Sequence, residues 1–148
     1  IKKAKENEKL KNVIFCNISF GAANSMVKEL EKSYTNSENL IFSQVIPSYS
    51  NTNIEAVKEY QNLMQKYFPH ESFSFLSLEA FLTSKILVNA ISRINGEITR
   101  EKLLLTLKTT PSDLLKGIPL EYKNSQLLNN TYLFEYKDSQ FIEIKNEK

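Results

Sequence analysis

The first half of the chain alternates between short apolar runs and apolar residues at helical spacing. Residues 13–18 form an apolar, β-rich run, which predicts a buried strand. Residues 22–34 then place apolar side chains three and four positions apart, as in an amphipathic helix. Residues 40–46 predict a second strand, which Pro47 ends. A helix between two such strands favours an α/β fold with a parallel sheet whose faces are covered.

The middle of the chain has the pattern of three helices. Asn53 is expected to cap the first helix. The buried side of that helix is predicted to consist of Val57, Tyr60, Met64 and Tyr67. Residues 77–94 are apolar around almost the whole circumference, so the second helix is predicted to be largely buried between other layers. Thr99 is expected to cap a short third helix.

The C-terminal tail returns to the period of a strand. Residues 118–122, 131–136 and 140–144 read as short strands, and residues 137–139 supply a turn between the last two. The predicted fold class is therefore α/β, with a parallel sheet flanked by helices and short C-terminal strands.

Composition places the chain among folded proteins and argues against a nucleic-acid partner. Its 148 residues are 41% hydrophobic, which suits one domain or a piece of a larger one. The net charge is only +2, and Lys and Glu residues are interspersed as on a solvated surface. No apolar run was expected to reach the roughly 20 residues that span a bilayer. The start carries no initiator Met and no secretory signal, so we expect the chain to be cut from something longer.

Catalytic and metal-binding patterns are weak in this sequence. The sole histidine, His70, lies in a polar break between helices, where an exposed loop position is expected. The sole cysteine, Cys16, lies in an apolar strand, where a buried and unreactive thiol is expected. One histidine and one cysteine do not make a zinc site, and the glycines are too far apart for a phosphate loop. We therefore expect no enzyme activity, no metal and no cofactor.

A polar segment between the first strand and the first amphipathic helix holds the candidate ligand contacts, which are Ser19, Phe20, Ala22 and Asn24. Ligands of open α/β sheets gather at the carboxyl ends of strands, where loops and helix N-termini offer hydrogen bonds. A purely structural role is the alternative. In that reading Gly21 makes the turn, and Asn24 or Ser19 caps the helix.

Several short phrases, in order, resemble those of one protein family. Residues 14–21 read IFCNISFG, residues 43–47 read SQVIP and residues 77–81 read SLEAF. This series resembles the C-terminal part of a type I periplasmic-binding-protein-like domain, the fold of branched-chain amino-acid binding proteins. The chain departs from the family in lacking the aliphatic residue between Phe20 and the glycine. It also has Ala80 and Phe81 where the family has glycine and tyrosine.

The resemblance implies two α/β lobes, crossing segments between them and a ligand in the cleft. It divides the chain into residues 1–42 as a piece of the second lobe, 43–50 as an interlobe crossing, 51–130 as a helical piece of the first lobe, and 131–148 as strands returning to the second lobe. Gln44, Pro47 and Tyr49 would be hinge residues in this arrangement.

The function that the resemblance implies is solute binding outside the cytoplasm. The chain would belong to a periplasmic or extracytoplasmic protein that captures a small molecule, such as an amino acid, and hands it to the permease of an ABC importer. The first alternative is a ligand-sensing extracytoplasmic domain fused to a signalling domain. The second alternative is an unrelated cytosolic α/β regulatory module. Self-association of the fragment is also expected, because the apolar helix at 77–94 needs cover on several sides.

Overall fold

A computed structural model of the protein describes residues 1–10, 12–18, 23–33 and 38–145. Its elements are, in chain order, α1 (Lys2–Lys5), β1 (Phe15–Ile18), α2 (Ala23–Lys32), β2 (Leu40–Gln44), α3 (Glu55–Tyr67), α4 (Phe75–Ser92), α5 (Arg100–Lys108), β3 (Tyr132–Lys137) and β4 (Gln140–Glu143). They fall into two compact units. The first unit combines Ile1–Ser48 with Thr131–Lys148, and the second is Tyr49–Asn130.

The first unit contains a four-stranded sheet in the order β1-β2-β3-β4. β1 and β2 are parallel, and α2 forms the crossover between them, as the sequence predicted. β3 and β4 are the predicted C-terminal strands, and they extend the same sheet in antiparallel pairing. Asp138 and Ser139, with φ of 51° and 59°, make the turn between them, a geometry that suits a tight hairpin. The α/β class with helices flanking a sheet is therefore confirmed.

The core of the first unit lies between α2 and one face of this sheet. The α2 residues are Ala23, Val27 and Leu30, and the strand residues are Leu40, Phe42 and Tyr136. The register places Leu40 opposite Tyr136, so that alternate residues of neighbouring strands point to the same face. The Tyr136 hydroxyl donates a hydrogen bond of 2.6 Å to Glu31 Oε1 at the end of α2. Each fully buried side chain of this size contributes about 1.5–3 kcal/mol to folding.

The opposite face of the sheet leaves several apolar side chains exposed. It carries Cys16, Ile18, Leu133 and Ile142, of which Ile18 is 79% exposed. The prediction of a buried strand with a buried thiol was wrong for this face. The strand itself is present, but alternation places Cys16 and Ile18 away from α2. Among the described residues of this unit, no helix covers that face.

The second unit is built from α3, α4 and α5. The buried side of α4 consists of Phe75, Leu78, Leu82, Ile86 and Ala90, which recur three and four positions apart. Ser74 caps this helix by accepting a hydrogen bond from the Ser77 N–H. Tyr60 joins α3 to the same end of α4, since its hydroxyl lies 2.6 Å from Ser77 Oγ. Thr99 caps α5 as predicted, by accepting from the Lys102 N–H.

Two predictions about α3 and one about α4 were wrong. α3 begins after Ile54 with no side-chain cap, and the predicted cap Asn53 instead donates its N–H to Asn51 Oδ1. Tyr67, expected on the buried side, is 60% exposed because it lies in the last turn. α4 is not buried all round. Its outer side is exposed along a line of apolar residues, namely Leu76, Leu87, Val88 and Ile91.

The predicted strand at residues 118–122 is an irregular extended segment instead. Ile118 and Leu120 are buried and alternate with exposed neighbours, which explains the strand-like pattern. Their backbone bonds do not form a ladder. The Leu120 N–H donates to the Ser112 carbonyl, and the Glu121 N–H donates to the Leu127 carbonyl. The alternation of buried and exposed residues therefore occurs here without a partner strand.

By length and composition, α4 could cross a membrane. Its 18 residues have a mean hydropathy of 1.3, which corrects the expectation that no run in this chain was long enough. One such helix is weak support for a membrane segment, because the core helix of a soluble protein has the same composition.

Candidate functional site

The candidate site lies at the carboxyl edge of the two parallel strands. Ile18, the last residue of β1, is in register with Ser43, so both strands end side by side. α2 connects these strands and therefore begins at this edge, with Ala23 as its first residue. The first N–H groups of a helix have no partner within the helix, and the helix dipole makes this end electropositive. The electropositive end of α2 therefore lies at this edge, on the side of the sheet that α2 covers.

The candidate ligand contacts can be placed only in part. Asn24 lies in the first turn of α2 and is half-buried, so the structure brings it to the carboxyl edge. Ser19, Phe20 and Ala22 lie outside the described residues, and their contact with ligand stays a prediction.

Gln44, expected to be a hinge residue, is the last residue of β2 and lies at the same edge. Strand alternation places it on the face of Leu40 and Phe42, which is the face that α2 covers. Its side chain is 1% exposed, and neither Nε2 nor Oε1 has a hydrogen-bond partner among the described residues. Nearly all buried polar side chains in proteins are paired, and an unpaired one costs about 1–3 kcal/mol. In the sequence, the signal for this buried amide is a glutamine at a position of β2 where strand alternation predicts an apolar residue.

The other two expected hinge residues lie where the chain passes from the first unit to the second. Pro47 is buried near the end of the first unit, and Tyr49 begins the second. Within the second unit, the Tyr49 ring packs edge-on against Phe75, with ring centroids 4.9 Å apart. The Tyr49 carbonyl accepts a hydrogen bond of 2.7 Å from Gln61 Nε2. Their role as a hinge stays a prediction.

Two described groups have shifted pKa values, one in each unit. Lys5 contacts the ring of Phe15 and donates to the Glu38 carbonyl, both at the amino edge of the parallel strands. Burial lowers the pKa of Lys5, and the nearby Glu38 carboxylate partly offsets that effect. In the second unit, the side-chain hydrogen bond to Glu55 raises the pKa of Lys116.

His70 is exposed in the segment between α3 and α4, as predicted. Within the described part of the chain, no three His, Cys, Asp or Glu side chains are placed to hold a metal ion.

No family model and no curated protein matches the sequence. Two solved structures are similar in fold. A possible leucine/isoleucine/valine-binding protein of Rhodopirellula baltica matches with a TM-score of 0.65 and 18% identity, over 96% of this chain and 45% of that one. An extracellular ligand-binding receptor of Verminephrobacter eiseniae matches with a TM-score of 0.70 and 18% identity, over 87% of this chain and 37% of that one.

The chain has a type I periplasmic-binding-protein-like fold. The fold class that the sequence phrases implied is therefore confirmed. At 18% identity the similarity concerns the fold alone. The chain spans less than half the length of either structure that it matches.

Proposed function

We propose that this chain is part of an extracytoplasmic solute-binding protein, and that it contributes one side of a site for a small molecule such as an amino acid. The observation that carries this proposal is the shared type I fold, with TM-scores of 0.65 and 0.70 to two proteins named for ligand binding. The carboxyl edge of β1 and β2 supports it, because ligands in open α/β sheets bind at such edges.

The roles of the parts follow from the same fold. Ser19, Phe20, Ala22 and Asn24 would contact the ligand, and Gln44, Pro47 and Tyr49 would form the crossing between lobes. Residues 1–42 and 131–148 would belong to the second lobe, and residues 51–130 to the first. The division of the chain into two compact units after Ser48 and again after Asn130 supports this assignment.

Transport and sensing are two uses of such a site. In transport, the protein would deliver its ligand to the permease of an ABC importer. In sensing, it would pass a conformational change to a fused signalling domain. The structural neighbour named as an extracellular ligand-binding receptor favours keeping the second use as the alternative. Both uses place the protein outside the cytoplasm.

Isothermal titration calorimetry of the 148-residue chain tests the proposal. The titrants are L-leucine, L-valine, L-asparagine and L-glutamate at millimolar concentration, with glycerol as the control titrant. We expect a saturable heat with at least one amino acid and none with glycerol. The expected Kd is weaker than roughly micromolar, because closure of a second surface over the ligand normally buries most of its area. Absence of saturable heat with every amino acid would contradict the proposal.

A further inference from the structure

Gln44 is the polar group whose environment is hardest to explain by folding alone. It occupies an apolar position of β2, in line with Leu40 and Phe42, and only 1% of it is exposed. Its carboxamide has a donor, Nε2, and an acceptor, Oε1, and both lack a partner in the part of the chain that the structure describes. A methionine or leucine at this position would avoid the desolvation cost, so the amide is expected to serve another purpose.

Other side-chain amides show that this fold can satisfy such groups. Asn17, on the neighbouring strand β1, donates from Nδ2 to the carbonyls of Phe15 and Ile41. Gln61, on α3, donates from Nε2 to the Tyr49 carbonyl at 2.7 Å. Asn89 on α4 has one buried atom without a partner, Oδ1, whereas in Gln44 both polar atoms lack a partner among the described residues.

The start of α2 lies at the same edge and over the same face of the sheet. Ala23, its first residue, belongs to the cluster that contains Phe42, two residues before Gln44 on the strand. α2 is ten residues long, so its dipole is that of a full helix. A group that approaches Gln44 from the carboxyl edge therefore also approaches an electropositive helix end.

We propose that Gln44 contacts a ligand at the carboxyl edge of β1 and β2, beside the start of α2; this inference rests on the proposed function. Its Nε2 and Oε1 would pair with a ligand group that carries an acceptor and a donor side by side. The carboxylate and ammonium of an α-amino acid form such a pair, and so do the oxygen and nitrogen of a primary carboxamide. The N-terminus of α2 favours the amino acid, because it stabilises a carboxylate.

Burial sets a condition on how this contact forms. Since Gln44 is 1% exposed, a ligand reaches it only when the side chains that bury it move. Association should therefore be slower than the roughly 10⁵–10⁷ M⁻¹ s⁻¹ typical of a preformed surface site, as when binding requires a conformational change. A single internal water could satisfy the same two atoms, and the experiment below separates the two cases.

The experiment compares two matched variants, Gln44→Met and Gln61→Met, by thermal melting without and with ligand. Methionine has the length of glutamine but no amide. Without ligand, Gln44→Met should raise the melting temperature by about 3 °C or more, because an unpaired buried amide is removed. Gln61→Met should lower it, because the bond to the Tyr49 carbonyl is lost. The probes are L-leucine, isovaleramide and isovalerate at millimolar concentration.

Five results decide the matter. The inference predicts that L-leucine stabilises the native chain and Gln61→Met, and that Gln44→Met binds it at least tenfold more weakly. A response to L-leucine or isovaleramide, without a response to isovalerate, supports the need for an adjacent donor. If Gln44→Met is less stable than the native chain without ligand, the amide is held by an internal water only and the inference is wrong. If Gln44→Met keeps the full response to L-leucine, the proposed function stands and the role of Gln44 is refuted. If no probe stabilises the native chain, the proposed function and this inference fail together.

Discussion

Leu82→Ala, compared with Leu87→Ala, tests how α4 is packed. Both leucines lie in the same helix, but Leu82 is 0% exposed and Leu87 is 42% exposed. Removing the larger part of a fully buried leucine side chain loses its transfer free energy and leaves a cavity, at a cost of about 2–5 kcal/mol. The same change at Leu87 removes atoms that already contact solvent, so we expect a cost of about 1 kcal/mol or less. Leucine and alanine have similar helix propensities, which keeps the comparison fair.

Urea unfolding, followed by circular dichroism, measures both changes in the free energy of unfolding. The structure predicts that Leu82→Ala loses at least twice as much as Leu87→Ala. Equal losses would show that both sides of α4 are covered in solution, either by self-association or by a different packing of the second unit. A thermal melt provides an independent check, since a cost of 2 kcal/mol lowers the melting temperature of a chain of this size by roughly 5 °C or more.

The exposed face of the sheet, the end of α2 and Phe20 give three further predictions. Replacing Leu133 and Ile142 together by threonine should reduce binding of a hydrophobic dye and self-association in light scattering, because both side chains lie on the exposed face of the sheet; unchanged dye binding would locate the apolar patch elsewhere. Tyr136→Phe removes the hydrogen bond to Glu31 and should cost about 1–2 kcal/mol in urea unfolding, whereas a loss below the error would show that water replaces the bond. In the full-length protein, Phe20→Ala should weaken ligand binding about thirtyfold. Lost affinity with a nearly unchanged melting temperature would support the contact, and retained affinity with lowered stability would make Phe20 a core residue.

Local sequence patterns predicted the elements of this fold well. The apolar runs at residues 13–18 and 40–46 predicted two strands, and the helical spacing between them predicted a helix. Together they indicated the parallel β1–α2–β2 arrangement. Thr99 was recognised as a cap because a hydroxyl preceded a helical pattern. Asn53 does not cap α3, because α3 begins two residues later, at Glu55. The Asn53 N–H instead donates to Asn51 Oδ1.

Long-range packing was harder to predict. Cys16 and Ile18 belong to a strand with an apolar sequence, but only the face toward α2 is covered among the described residues of that unit. The outer side of α4 is likewise apolar in sequence but exposed in the structure. An apolar pattern predicts which residues share a face. Whether another element packs on that face depends on residues far away in the chain. The buried amide of Gln44 could have been noticed from strand alternation, but its lack of a partner required coordinates.

Mapping of ligand binding by two-dimensional amide NMR tests the central claim most directly. The labelled chain is titrated with L-leucine, and backbone amide shifts are compared between the carboxyl edge and α5, which serves as the internal control. The account predicts saturable shifts at Ile18, Asn24 and Gln44, with α5 unaffected. Shifts confined to the second unit, or no shift at any residue with any of the amino acids, would contradict the claim that this edge binds a small molecule.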